Sequence, residues 1–127
     1  MVRNLAGIII LLHGLVHFWY FTLSQKLVPF QPEMGWTGRS WLLSKFIQDA
    51  TLRPIASTLY ALAAVVFVVG GVGVFVRADW MRPILAGAAI FSSLVIVLFW
   101  DGNTGMLVQK GILGLLINLV ILVVLFV

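Results

Sequence analysis

Apolar and polar positions along this chain fall into long blocks. Four blocks are almost wholly apolar, at 5–23, 54–76, 83–100 and 107–127. A bilayer core of about 30 Å needs about 20 helical residues at 1.5 Å each, so each block is long enough to cross one. The run Val65-Val-Phe-Val-Val69 would suit a strand in water. Lipid requires backbone hydrogen bonds to close within the segment, and the block is too long for a lone strand, so it predicts a helix. The pattern as a whole predicts an all-α, single-domain integral membrane protein. Its expected form is an up-down-up-down four-helix bundle over 1–127, with both termini on one side and the one long connection on the other.

That connection, 24–53, is broken in its first half by Pro29, Pro32, Gly35 and Gly38. From Ser40 to Ala50, Trp41, Leu42, Leu43, Phe46 and Ile47 recur at helical spacing against Arg39, Lys45, Gln48 and Asp49. The stretch is too short to span, and it predicts an amphipathic helix lying in the headgroup plane, anchored by its tryptophan or closing as a lid over the bundle. Pro54 suits the first turn of the second span. Arg77 to Arg82 reads as a tight turn with arginines at the membrane surface. Asp101-Gly-Asn-Thr-Gly105 reads as the last turn, with Asp101 placed to cap the fourth helix.

Small residues mark the faces expected to pack. Gly7, Ile10, Gly14, His17 and Phe21 share one heptad seam; Gly111, Gly114, Asn118, Ile121 and Leu125 share another. Ala88, Ala89, Ser92 and Ser93 form two small-xxx-small pairs. The histidine face of the first span is therefore expected to point into the bundle.

Composition sharpens this picture. Of 127 residues, 62% are hydrophobic and 9% charged, with a mean hydropathy of +1.15. There are no cysteines, which removes disulfides, covalent c-type haem and thiol chemistry. The net charge of +4 is spread over connections and segment ends, which suits anchoring at the bilayer surface and argues against nucleic acid. Arg3, Arg77 and Arg82 lie on the terminal side; Lys26, Arg39, Lys45, Arg53 and Lys110 lie opposite. The short basic lead and the tight basic turn place the termini inside.

The candidate chemistry centres on the two histidines, in His13-Gly-Leu-Val-His17. They stand one helical turn apart on nearly one face, and polar groups at membrane depth are costly enough to ask for an explanation. Counting about 1.5 Å per residue from the long-connection side puts His13 level with Asn118, and His17 level with Tyr60. A polar pocket lined by His13, His17, Tyr60 and Asn118 is thus expected, under Trp36 and Trp41, with Asp101 and Glu33 near its mouth. Several readings stay open. Each histidine can be neutral, bonded to a neighbour, and serve only to fix helix register. A quinone held by His17 and Tyr60 is the candidate ligand. Zinc or iron would need a third ligand, from Asp101 or Glu33, and the zincin pattern fails at Gly14. Haem would need a homodimer, since one helical turn cannot ligate both porphyrin faces. Metal and haem are therefore disfavoured, and no cofactor is expected outright.

A resemblance adds to this. His13-Gly-Leu-Val-His17, Trp41-Leu-Leu, Leu59-Tyr-Ala-Leu-Ala-Ala, Trp80-Met-Arg-Pro83, Trp100-Asp101 and Gly114-Leu-Leu-Ile-Asn118-Leu together resemble a family of small, uncharacterised four-helix prokaryotic membrane proteins. The resemblance covers nearly the whole chain and implies the fold, a prokaryotic cytoplasmic (inner) membrane, and a family pattern that includes the histidine motif, Asp101 and Asn118. The layout is also loosely similar to DoxX-like proteins, some of which are linked to quinone-coupled sulfur oxidation. The expected function is non-enzymatic: an accessory or structural subunit of a larger membrane complex, or a homo-oligomer. The first alternative is a quinone-binding or redox-linked protein. A small transporter or channel is the second, against which stand the absence of carboxylates within the spans and of an internal repeat.

Overall fold

A computed structural model describes residues 1–29 and 35–127. Its elements are helices: α1 Val2–Ser24, α2 Asp49–Val76, α3 Met81–Leu98 and α4 Leu113–Phe126, the last preceded by a π-helical turn, Val108–Ile112. Among the described residues there are no strands. Four stretches, Val2–Ser24, Asp49–Val76, Met81–Leu98 and Val108–Phe126, are long and apolar enough to cross a membrane.

Consecutive helices pack on one another, α1 on α2, α2 on α3 and α3 on α4. The α1–α2 pair shows how its register is fixed. Gly14 faces Phe67 and Ser24 bonds Ser57, so facing residues have numbers that add to 81, the signature of an antiparallel pair. A Cβ on Gly14 would come 2.8 Å from Phe67 Cβ, so glycine is what allows the two axes to approach this closely. Phe67, fully buried, fills the space beneath.

No α-helix runs over 40–50. That stretch holds one 3₁₀ turn, Leu43–Lys45, and its last two residues, Asp49 and Ala50, already belong to α2. The physical reason is competition from other partners. Ser40 Oγ accepts the Leu43 N–H at 2.9 Å and donates to the Leu98 carbonyl at 2.5 Å, while Ser44 Oγ donates to Asp49 Oδ1 at 2.7 Å. Asp49 in the first turn of α2 complements the helix dipole, so α2 starts five residues before Pro54.

The same stretch closes the end of α3. The last carbonyls of a helix have no partner within it. Here Val97 O accepts Trp41 Nε1–H at 2.8 Å, Leu98 O accepts Ser40 Oγ–H, Phe99 O accepts Trp36 Nε1–H at 3.1 Å, and Trp100 O accepts the Trp41 N–H at 2.7 Å. Trp41, expected as a surface anchor, and Trp36, expected over the pocket mouth, are thus hydrogen-bonded caps.

The opposite end is plainer. α2 stops at Arg77, which adopts a left-handed conformation (φ 58°, ψ 39°) while its N–H and that of Ala78 both bond the Gly73 carbonyl. A side chain in that conformation costs about 1 kcal/mol that glycine would not. Between α1 and α4, over Leu85 of α3, runs an apolar groove of about 360 Å³.

Candidate functional site

The four expected pocket residues do not line one space. They divide between a polar cluster at the centre of the bundle and an aromatic cluster nearer the long connection.

The polar cluster joins three helices. His13 Nε2–H donates to Asn118 Oδ1 at 2.8 Å, and Asn118 Nδ2 donates to Ser92 Oγ and to Ser93 Oγ, each at 3.0 Å. Ser92 O–H donates to His17 Nε2 at 2.6 Å, and His17 Nδ1–H returns to the His13 carbonyl at 3.1 Å. Ser93 O–H donates to the Ala89 carbonyl at 2.7 Å. These bonds close as one consistent set with both imidazoles neutral. His17 is 1% exposed, and Asn118 and Ser92 are fully buried. The imidazoles stand edge to face, 5.1 Å between centroids, and both rest on Phe67.

The aromatic cluster holds Tyr60. Its ring stacks on Tyr20 at 5.1 Å, with Trp36 and Phe99 around it at 6.1 and 6.0 Å. On the register set by Gly14–Phe67 and Ser24–Ser57, Tyr60 stands opposite Phe21, about one helical turn nearer the long connection than His17; the expected level match fails because α2 starts at Asp49 rather than Pro54. Tyr20 O–H donates to the Gln109 carbonyl at 2.6 Å, within the π-helical turn where Gly111 (φ 107°) interrupts the start of the fourth helical stretch. A broken helix frees carbonyls, and a side chain satisfies this one.

Beside the rings lies a charge pair. Lys110 Nζ spans both oxygens of Asp101, 3.0 Å from Oδ1 and 2.9 Å from Oδ2, with side chains 10% and 11% exposed. Asp101 Oδ1 also accepts the Asn103 N–H at 2.9 Å, so it caps its own turn rather than α4. Thr37, Tyr20, Tyr60, Asp101 and Lys110 surround a cavity of about 10 Å³, room for a single water. Thr37 Oγ1 is buried there without a partner among the described residues.

The chain matches no family model, no curated protein and no solved structure.

Among the described residues, no three His, Asp or Glu side chains come together as a metal site would require; Glu33 lies outside those residues. Trp36 belongs to the aromatic cluster and Trp41 to the α3 cap. Ser92 and Ser93 are bonding residues that small-xxx-small spacing alone marks only as packing residues. Their sequence signal was two adjacent hydroxyls on the α3 face that also carries Ala88 and Ala89. Lys110 has the sequence context of a surface cation, and nothing in it pairs the residue with Asp101 nine residues earlier.

Proposed function

We propose that this chain is a small multi-pass integral membrane protein with a non-enzymatic, structural role, as an accessory subunit of a larger membrane complex or as a homo-oligomer. The observation that carries this reading is the state of α4, in which only Asn118 and Ile121 of Leu113–Phe126 are buried. A helix held to its own bundle by Asn118 and one apolar row around Ile121, and flanked by an open groove, leaves most of an apolar surface for other subunits or lipid. The polar groups fit the same role. Each ring nitrogen that could serve as a ligand contact on His17 is already bonded within the bundle, as is His13 Nε2. Four apolar helices suit insertion in a prokaryotic cytoplasmic membrane, and the short basic lead with the tight Arg77–Arg82 turn suits termini inside. Phe46, 79% exposed between Arg39 and Lys45 on one side and Asp49 on the other, suits a 39–48 stretch lying at the bilayer surface.

A quinone-binding role at His17 and Tyr60 has less support, since the two rings belong to different clusters and the cavity beside Tyr60 holds one water. Native mass spectrometry on protein gently extracted from its own membrane tests the structural role. Stoichiometric partner subunits or a defined oligomer are expected; a stable, lone monomer would overturn it.

A further inference from the structure

The turn end of the bundle gathers its arginines around one pocket. Arg3 at the start of α1, Arg77 at the end of α2 and Arg82 in the first turn of α3 surround one pocket of about 290 Å³, with Asp79 as its single acid. The ion pairs among the described residues are Arg39–Asp49 and Lys110–Asp101, so these three arginines have no carboxylate partner within 4 Å. Arg77 stands in a left-handed conformation where glycine would be unstrained, which keeps a cation in the pocket against the backbone's preference. The first turn of α3 meets this pocket without a side-chain cap.

The apolar groove begins one helical turn away. Residues three apart share a helix face, so Arg3 stands directly above Ala6 and Arg82 above Leu85, and both Ala6 and Leu85 line the groove between α1 and α4. Its walls are hydrocarbon throughout and run from this end to the middle of the bundle at Leu113. A site with cations at the membrane surface and an apolar channel leading inward from them matches one chemistry, an anionic head joined to an acyl chain.

The geometry points to a binding site for an anionic phospholipid, its phosphate among Arg3, Arg77 and Arg82 and one acyl chain laid in the α1–α4 groove. This rests on the reading of the chain as membrane-inserted. The two fail separately: protein that fractionates away from membranes removes both, whereas membrane-bound protein indifferent to headgroup charge removes only the lipid site.

The test is a native mass spectrometry titration of the full chain in non-ionic detergent with dioleoyl phosphatidylglycerol, with dioleoyl phosphatidylcholine, and with inorganic phosphate alone. Phosphatidylglycerol is expected to bind in preference to phosphatidylcholine. Each arginine near an anionic surface is worth about fivefold in affinity, so Arg3→Gln with Arg77→Gln and Arg82→Gln should weaken phosphatidylglycerol about a hundredfold and leave phosphatidylcholine unchanged. Asp79→Asn, on an exposed turn, should strengthen it about fivefold, and this variant keeps the test decisive if the triple one fails to fold. Ala6→Phe, which fills the groove from an exposed position, should weaken the lipid without removing charge. Equal binding of the two lipids, or indifference to both Asp79→Asn and the arginine changes, would overturn the proposal. Inorganic phosphate that displaces phosphatidylglycerol at comparable concentration would also overturn it, by showing a free-anion site with no use for the groove.

Discussion

The enclosed charge pair at the long-connection end and the arginine pocket at the turn end handle charge in opposite ways. At the long-connection end, Lys110 and Asp101 are paired, nearly enclosed and surrounded by rings, and the carbonyls closing α3 are capped by side chains and backbone of the connection. At the turn end three arginines stand unpaired around an open pocket, above an unfilled groove. The first end pairs its enclosed charges and caps its carbonyls internally, although Thr37 Oγ1 stays without a partner among the described residues and Lys26 and Arg53 line a more open pocket there. The second presents unsatisfied cations and uncovered hydrocarbon together, which is the state of a surface that something else completes.

Substitutions can break or sharpen this contrast. The largest effect is expected from Lys110→Met, which leaves the Asp101 carboxylate enclosed without its counter-charge; a loss of about 3 kcal/mol in detergent unfolding is expected, largely recovered by adding Asp101→Leu. A loss below about 0.5 kcal/mol would show the pair behaving like an exposed one. Asn118→Leu is expected to cost about 2 kcal/mol by the same assay, because it strips His13 Nε2 and two serine hydroxyls of a partner at once. Retention of wild-type stability would mean that the polar cluster does not tie α4 to α1 and α3. Gly14→Ala should cost about 1–2 kcal/mol, since its Cβ would meet Phe67 Cβ at 2.8 Å and separate α1 from α2. At the other end the sign reverses. Arg77→Gly should stabilise by up to about 1 kcal/mol by relieving the left-handed backbone, an increase in thermal midpoint that would identify the arginine as kept for something other than stability. Gly87→Ala, with open space where its Cβ would go, should add up to about 0.5–1 kcal/mol on helix propensity alone and serves as the neutral reference.

Hydropathy alone located four helices, because an apolar block of this length has few other ways to satisfy its backbone. Depth counting also placed His13 level with Asn118, and the structure joins them at 2.8 Å. The same count fails for Tyr60, because it starts the second helix at Pro54 whereas α2 starts at Asp49; Tyr60 stands opposite Phe21, a turn away from His17, and its ring meets Tyr20, Trp36 and Phe99. The connection was harder still. The spacing of Trp41, Leu42, Phe46 and Ile47 fits a helix, but Ser40, Trp36 and Trp41 find partners in the carbonyls closing α3, some 60 residues later. Local periodicity cannot register a competitor that distant. The arginine pocket was visible only as scattered charges, since Arg3 meets Arg77 and Arg82 through packing alone.

The bond between His13 and Asn118 links residues 105 apart, and that separation is also an interval of time. In a chain whose helices emerge in order, roughly 5–20 s of synthesis separates the two at usual rates, far longer than any helix needs to form. His17 meets Ser92 when α3 arrives, and His13 waits for α4. The partner of His17 on α3 is thus made well before the partner of His13 on α4.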